Sequence, residues 1–235
     1  MKNYRYITIG VILIILLFSV ISTSSISKNT FSYNKNTSKP VILITGFGPF
    51  DDYDINPSQL VVEYLNGLEL ENARIIGQIL PVDFSDSVLN LKKTIDDLEP
   101  IVLISLGLDG TANSIEIENI GLNIKRVKGG IIDRYVYRKI DTKGPWIRLS
   151  TLPTKLIVNE LKNNNIPVRH SFFAGTYVCN SVMYEAISYM KNNYPEVPTG
   201  FIHIPLLSTQ HSDGMEFSTM TSGVLTAINA SLSTI

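Results

Sequence analysis

Short apolar runs that alternate with helix-periodic segments fix the kind of fold open to this chain. Val41-Ile42-Leu43-Ile44-Thr45 and Ile101-Val102-Leu103-Ile104-Ser105-Leu106 show no polar alternation. A strand with one wet face alternates; a run without a polar face belongs to a sheet covered on both sides. Residues 74–80 read as a further strand, as do residues 168–173 and Gly200-Phe201-Ile202-His203-Ile204-Pro205. Between them lie helical patterns. Asn56-Pro57-Ser58 opens a helix with proline in its first turn and Leu60, Val61, Tyr64 and Leu65 on one side. Residues 85–98 form a second, with Val88, Leu91, Ile95 and Leu98 inward and Pro100 as its stop. Residues 154–163, 179–191 and 218–232 follow, and the stripe of 179–191 is Val182, Met183, Ala186, Ile187 and Met190. Residues 109–146 are less regular and read as loop and short strands over a site. The alternation predicts an α/β fold: a three-layer α/β/α domain with a mostly parallel, twisted sheet flanked by helices. Ligands bind such sheets outside the carboxyl ends of the strands. The glycine turn after the first strand, Gly107 closing the third, Cys179 and His203 all fall at such ends.

Composition narrows the function. The chain has 235 residues, 44% apolar and 17% charged, with a net charge of −1. That is one globular domain large enough to need no disulfide or structural metal. No basic stripe suggests nucleic acid, and no phosphate-binding glycine loop is present. His170, His203 and His211 are not spaced as ligands on one helix face, so no metal site is expected. The N-terminus differs in kind. Lys2 and Arg5 precede an apolar run over residues 7–21, then a Ser/Thr/Asn-rich stretch to Ser38. This is the pattern of a secretory signal or short anchor. The expected division is residues 1–38 as signal or anchor segment and linker, and 39–235 as the folded domain. It would sit outside the cytoplasm, membrane-anchored or secreted, touching the membrane only through that segment.

Cys179 is the sole cysteine. A lone cysteine makes no internal disulfide, and most free cysteines are small buried hydrophobes. This one stands where Ala174-Gly175-Thr176-Tyr177-Val178-Cys179-Asn180 turns into a helix. Backbone N–H groups and the helix dipole favour a thiolate there, and the thiolate is the nucleophile. His203 is the candidate base. A carboxylate would hold its imidazole, and Glu116 and Glu118 are both candidates. In an extended segment they share a face, so spacing does not choose between them.

Four segments together resemble the pyroglutamyl peptidases (pyrrolidone-carboxylate peptidases): Gly46-Phe47-Gly48-Pro49-Phe50, Asn56-Pro57-Ser58, the cysteine segment and Gly200-Phe201-Ile202-His203-Ile204-Pro205. The resemblance runs from about Val41 to the last helix. It implies a cysteine exopeptidase that removes an N-terminal pyroglutamate through an acyl-enzyme. It makes Cys179, His203 and Glu118 the catalytic set, because Glu118 falls in the family's Glu-containing motif and Glu116 does not. It further implies Phe47 and Phe50 as walls for the lactam ring, Tyr177 beside the nucleophile, a backbone amide near Leu108 for the lactam carbonyl, and Asn56 in the same substrate-binding set. No metal or organic cofactor is implied. A cytosolic homo-oligomer is the family's usual state, which sets up an alternative to the extracytoplasmic location.

Some positions depart from the family pattern. Asp51-Asp52 stand for a Gly-Gly pair, Asn119 for the arginine after the glutamate, and Thr111-Ala112 for a Gly-Arg pair. An Arg-Ile-Pro-Asp-Asn loop is replaced near Arg126 and Lys128, which Gly129-Gly130 follow. Loss of a preorganised donor costs roughly 3 kcal/mol at acyl-transfer sites. A non-catalytic member of the same fold that binds blocked peptide N-termini is therefore the alternative function.

Overall fold

Every residue of β1 (Val41–Phe47) and of β3 (Val102–Leu108) is buried, as strands covered on both faces require. The computed structural model describes residues 39–51, 53–129 and 134–235. The chain divides into the units 1–38 and 39–235, and the apolar N-terminal run lies outside the described residues.

Alternate side chains of the sheet enter two cores. Ile42, Ile44, Val102 and Ile104 pack under α1 (Pro57–Leu65), α3 (Thr154–Asn163) and α5 (Phe217–Leu232). Leu43, Phe47 and Leu103 pack under α2 (Asp86–Leu98) and α4 (Val178–Asn193). These are the three expected layers. The remaining strands of the main sheet are β2 (Arg74–Leu80), β4 (Ile115–Glu118), β9 (Val168–Ser171) and β10 (Thr199–Ile204). The order is β2-β1-β3-β10-β4-β9, parallel throughout except for the β10–β4 pair. Two small ribbons lie outside this sheet: β5 (Ile120–Leu122) with β8 (Ile147–Leu149), and β6 (Lys125–Lys128) with β7 (Tyr135–Arg138).

Two sequence expectations need correction. The third strand does not close at Gly107 but runs through it to Leu108. A β-carbon on Gly107 would lie 2.9 Å from the Cys179 Sγ and 2.8 Å from the Phe201 ring. The glycine makes room for the Cys179 sulfur rather than a turn. Of the loop and short strands expected at 109–146, β4 lies inside the main sheet rather than over the site. Its Ile-Glu-Ile-Glu alternation sends Ile115 and Ile117 into the core under α1, α3 and α5, so Glu116 and Glu118 leave by the α4 face.

The turn after β1 is fixed by local chemistry. A β-carbon on Gly46 would meet the Ser58 carbonyl oxygen at 2.6 Å, so only glycine lets α1 start this close to the strand. Asn56 caps α1: its Oδ1 accepts from the Ser58 N–H at 3.0 Å, and its Nδ2 donates to the Gly48 carbonyl at 2.9 Å.

Candidate active site

Phe201 and His203 leave β10 on the same face as Glu116 and Glu118 leave β4. His203 Nδ1 lies 2.7 Å from Glu118 Oε1. His203 is 6% exposed and Glu118 fully buried. The imidazole also shares a hydrogen bond with the Cys179 sulfur. Burial alone would push the His203 pKa down. The hydrogen bonds to Cys179 and Glu118, and their charges, outweigh it and raise it to about 10. The three side chains are thus connected in the order Glu118, His203, Cys179.

Cys179 is half-buried in the first turn of α4. The helix begins after Tyr177, whose side chain makes no capping hydrogen bond. The first backbone bond of the turn runs from the Ser181 N–H to the Tyr177 carbonyl. The N–H groups of Val178, Cys179 and Asn180 precede it and have no intrahelical acceptor. They present partial positive charge beside the sulfur.

Cys179 and His203 line a cavity of about 780 Å³ together with Phe47, Phe50, Asn56, Leu108 and Tyr177. Glu118 stands behind the imidazole, outside the lining. The Asp109 N–H donates to the Ile204 carbonyl across to β10. The Leu108 N–H therefore points the other way, toward β1, where the β1–β3 pairing has already ended at Thr45 and Ser105. Phe47 is 3% exposed and belongs equally to the core. Phe50 stacks at 5.5 Å on Tyr53. The polar atoms of Asn56 are engaged in the turn described above, so its hold is on the wall of the cavity.

Several lining residues were not anticipated from sequence. Asp109 accepts from the Thr111 N–H at 2.8 Å and the Thr111 hydroxyl at 2.7 Å. Burial would raise its pKa, but these bonds and nearby His203 and Arg169 hold it below the ordinary value. Arg126 reaches over the mouth from β6. Its Nη1 donates to the Tyr177 hydroxyl at 2.7 Å, and its guanidinium lies 3.9 Å from the Tyr135 ring centre. Its own N–H donates to the Thr176 carbonyl. The basic, aromatic ribbon is thereby docked on the segment that leads to the nucleophile. An Asp-x-Thr turn was the available signal for Asp109. Arg126 stood out in the sequence only as a basic residue near the replaced loop, since its partners are far along the chain.

Asn180 carries the nucleophile's surroundings. Its Oδ1 accepts from the Leu122 N–H, and its Nδ2 donates to the carbonyls of Leu122 and Ile124. Asn123 performs the same service for the excursion beyond it, binding the backbone of Ile140, Asp141 and Gly144. His170 and His211 are exposed and line no part of the cavity. Donor atoms of Glu116, Glu118 and His203 lie within 4.8 Å of one another, a density that calls for a cation. Arg169 supplies one: its Nε donates to Glu116 Oε1 at 2.8 Å and its Nη2 to the same oxygen.

A half-buried cysteine at a helix start, hydrogen-bonded to a buried histidine that a buried carboxylate holds, is the arrangement of a cysteine peptidase of α/β architecture. The family model described as pyroglutamyl peptidase matches residues 40–235. The chain is 36% identical to a pyrrolidone-carboxylate peptidase of Thermococcus litoralis over 174 residues, covering 72% of this chain and 78% of that one. A Yersinia pestis protein of the same name is 35% identical over 195 residues, covering 82% and 91%. The solved pyrrolidone carboxyl peptidase of Thermococcus litoralis superposes with a TM-score of 0.76 at 30% identity, covering 83% of this chain and 94% of that one. A Pyrococcus furiosus variant gives 0.75 at 30%, covering 82% and 98%. This chain belongs to the pyroglutamyl peptidase family.

The expectation of an extracytoplasmic, membrane-anchored or secreted protein is corrected. Over the residues shared with these relatives the chain is one α/β domain. No helix among the described residues is long and apolar enough to cross a membrane. The apolar segment that suggested an anchor, and the membrane contact read from it, lies outside the described residues.

Proposed function

We propose that the domain spanning residues 39–235 hydrolyses the amide bond after an N-terminal pyroglutamyl residue, with Cys179 as nucleophile, His203 as base and acid, and Glu118 holding His203. With His203 already protonated at neutral pH, the Cys179 sulfur attacks the carbonyl carbon as the thiolate of a thiolate–imidazolium pair. The oxyanion develops beside the free N–H groups of Val178, Cys179 and Asn180. The imidazolium then protonates the leaving amine, and the C–N bond breaks to give a thioester. Water, deprotonated by His203, attacks the thioester and releases pyroglutamate and the free thiol. The high proton affinity of His203 suits it to hold the proton between these two steps.

The lactam ring fits between Phe47 and Phe50, whose flat apolar faces favour a small neutral ring. The Leu108 N–H, turned away from β10, is placed to donate to its carbonyl. The observation that carries this reading is the unbroken Glu118–His203–Cys179 connection at one wall of the cavity.

Release of a fluorophore from a pyroglutamyl amide by the full chain, beside a Cys179→Ala control, tests it. Turnover that vanishes in the control supports the peptidase. A folded chain that binds the amide and leaves it intact would instead favour the non-catalytic binding alternative.

A further inference from the structure

A second buried carboxylate stands beside the His203–Glu118 pair, and the chemistry above gives it no task. Strand register places His203 directly across from Glu116 on the β10–β4 pair, and Glu116 directly across from Arg169 on the β4–β9 pair. His203, Glu116 and Arg169 thus form one row across three strands, with Glu118 one step along. Glu116 is 3% exposed and Glu118 fully buried. Their oxygens lie within 4.8 Å of each other and of the imidazole.

Two carboxylates this close and this dry oppose each other unless cations match them. His203 serves only one, since its Nδ1 is engaged by Glu118. Arg169 serves the other through two N–H donors on Glu116 Oε1. Its guanidinium also feels Asp109 and Glu118. The Oε2 of Glu118 is buried without a hydrogen-bond partner among the described residues, so nothing else holds its charge in place.

We propose that Arg169 is a positioning residue for the Cys179–His203 couple that acts only by offsetting Glu116: it neutralises that carboxylate so that Glu118 alone faces His203 as an anion. The proposal rests on the roles assigned to Cys179, His203 and Glu118 above. It makes a signed prediction. Without Arg169, the bare charge of Glu116 stands against Glu118 and competes with it for the imidazolium, which is drawn away from the Cys179 sulfur. Removing Glu116 as well takes away the charge that needed neutralising, and the couple recovers. An ion pair that merely held β4 to β9 would give a double variant no better than the single one.

The titratable and charged groups that face His203 and Glu116 are Cys179 from α4, Asp109 from the end of β3, Glu118 on β4 itself and Arg169 from β9. The test compares wild type, Arg169→Met, Glu116→Gln and the double variant, all as full chains. Two substrate-free readouts are the rate of Cys179 alkylation by iodoacetamide at neutral pH and the His203 titration point by imidazole NMR. Turnover of a pyroglutamyl amide is the third. Arg169→Met is expected to alkylate at least about tenfold more slowly and to titrate His203 higher than wild type, because a cation is lost and an anion bared beside the imidazole. Glu116→Gln and the double variant are expected to stay near wild type. An unchanged Arg169→Met, or a double variant as impaired as Arg169→Met, overturns the proposal. If Arg169→Met does not fold, Glu116→Gln and the double variant decide, and a slowed couple in either overturns it. A wild type that alkylates rapidly without cleaving the amide would count against the peptidase reading alone, because alkylation needs no substrate.

Discussion

A β-carbon at Gly107 would stand 2.9 Å from the Sγ of Cys179. Strand β3 therefore passes beneath the nucleophile at van der Waals distance, and the absence of a side chain there sets where the sulfur can sit. Phe201 closes the same space from β10, at 2.8 Å from that imagined carbon. Gly107→Ala must displace either the thiol or a fully buried aromatic ring. Overpacking of this kind costs about 1–3 kcal/mol. A displacement of the nucleophile by even about 1 Å lowers turnover on the order of 100-fold. The expected result is a folded variant with a modestly lower Tm and a kcat/KM at least about 100-fold down. Wild-type turnover in Gly107→Ala would show that the sulfur is not held by this contact.

The raised pKa of His203 makes both activity and stability pH-dependent. Its value moves from 6.5 up to about 10 on folding. A raised folded-state value means that the folded state binds the proton more tightly. The stabilisation is complete below the unfolded value and is lost as pH climbs toward about 10. Turnover falls on the same alkaline side, because the imidazolium must protonate the leaving amine. Glu118→Gln removes one of the two partners that raise the value, so both losses shift to lower pH. Melting temperature and kcat, each measured from neutral pH upward in wild type and Glu118→Gln, check the sign. A shift to higher pH in the variant would contradict it.

Much of this was legible in the chain, and what escaped did so for physical reasons. Continuous apolar runs marked β1 and β3 because both faces of those strands are covered. The stripe of α4 was equally plain. The place of β4 inside the main sheet was hidden because two of its four residues, Glu116 and Glu118, are acidic. Acidic side chains in a short segment look like a solvated loop until β10 and α4 cover them. Arg169 carries no signal of its own in the sequence, and its side chain is 63% exposed. Its meaning appears only when β9 pairs with β4, a contact between residues 53 apart in sequence. Gly107 looked like a strand stop, since the reason for a glycine there lies in Cys179, on another element. The choice between Glu116 and Glu118 came from family resemblance, not from periodicity, which treats them alike.

Asn180, next to the nucleophile, makes a prediction of a different kind. Its side chain satisfies the Leu122 N–H and the carbonyls of Leu122 and Ile124, while Asn180 itself is fully buried. Asn180→Ala orphans those backbone groups together, for about 2–4 kcal/mol of stability. The loss should be local as well as global. Hydrogen exchange of the backbone around residues 120–128 should quicken before that of β3 does. Uniform exchange across both segments would mean that this network is not what ties β5 and β6 to α4.

The β6–β7 ribbon bears on substrate affinity more than on the chemical step. Arg126 is the link: it stacks on Tyr135 of its own ribbon and donates to the hydroxyl of Tyr177, which precedes the helix of the nucleophile. Tyr177 is 51% exposed and so gets little support from the core. Without the guanidinium, the ring that borders the cavity is free to swing, and the ribbon loses one anchor. A cation over an aromatic face at such a partly exposed site contributes about 1 kcal/mol, and that converts to a KM about fivefold higher in Arg126→Met. Tyr177→Phe keeps the ring and loses only the hydrogen bond, so its effect should be smaller and in the same direction. In both variants kcat should hold within about twofold, because neither side chain hydrogen-bonds His203 or Cys179 and only substrate capture is weakened. The measurement is a full kcat and KM determination on a pyroglutamyl amide for the two variants. A large fall in kcat for Arg126→Met with KM unchanged would place the guanidinium at the reacting carbonyl instead of at the mouth of the cavity.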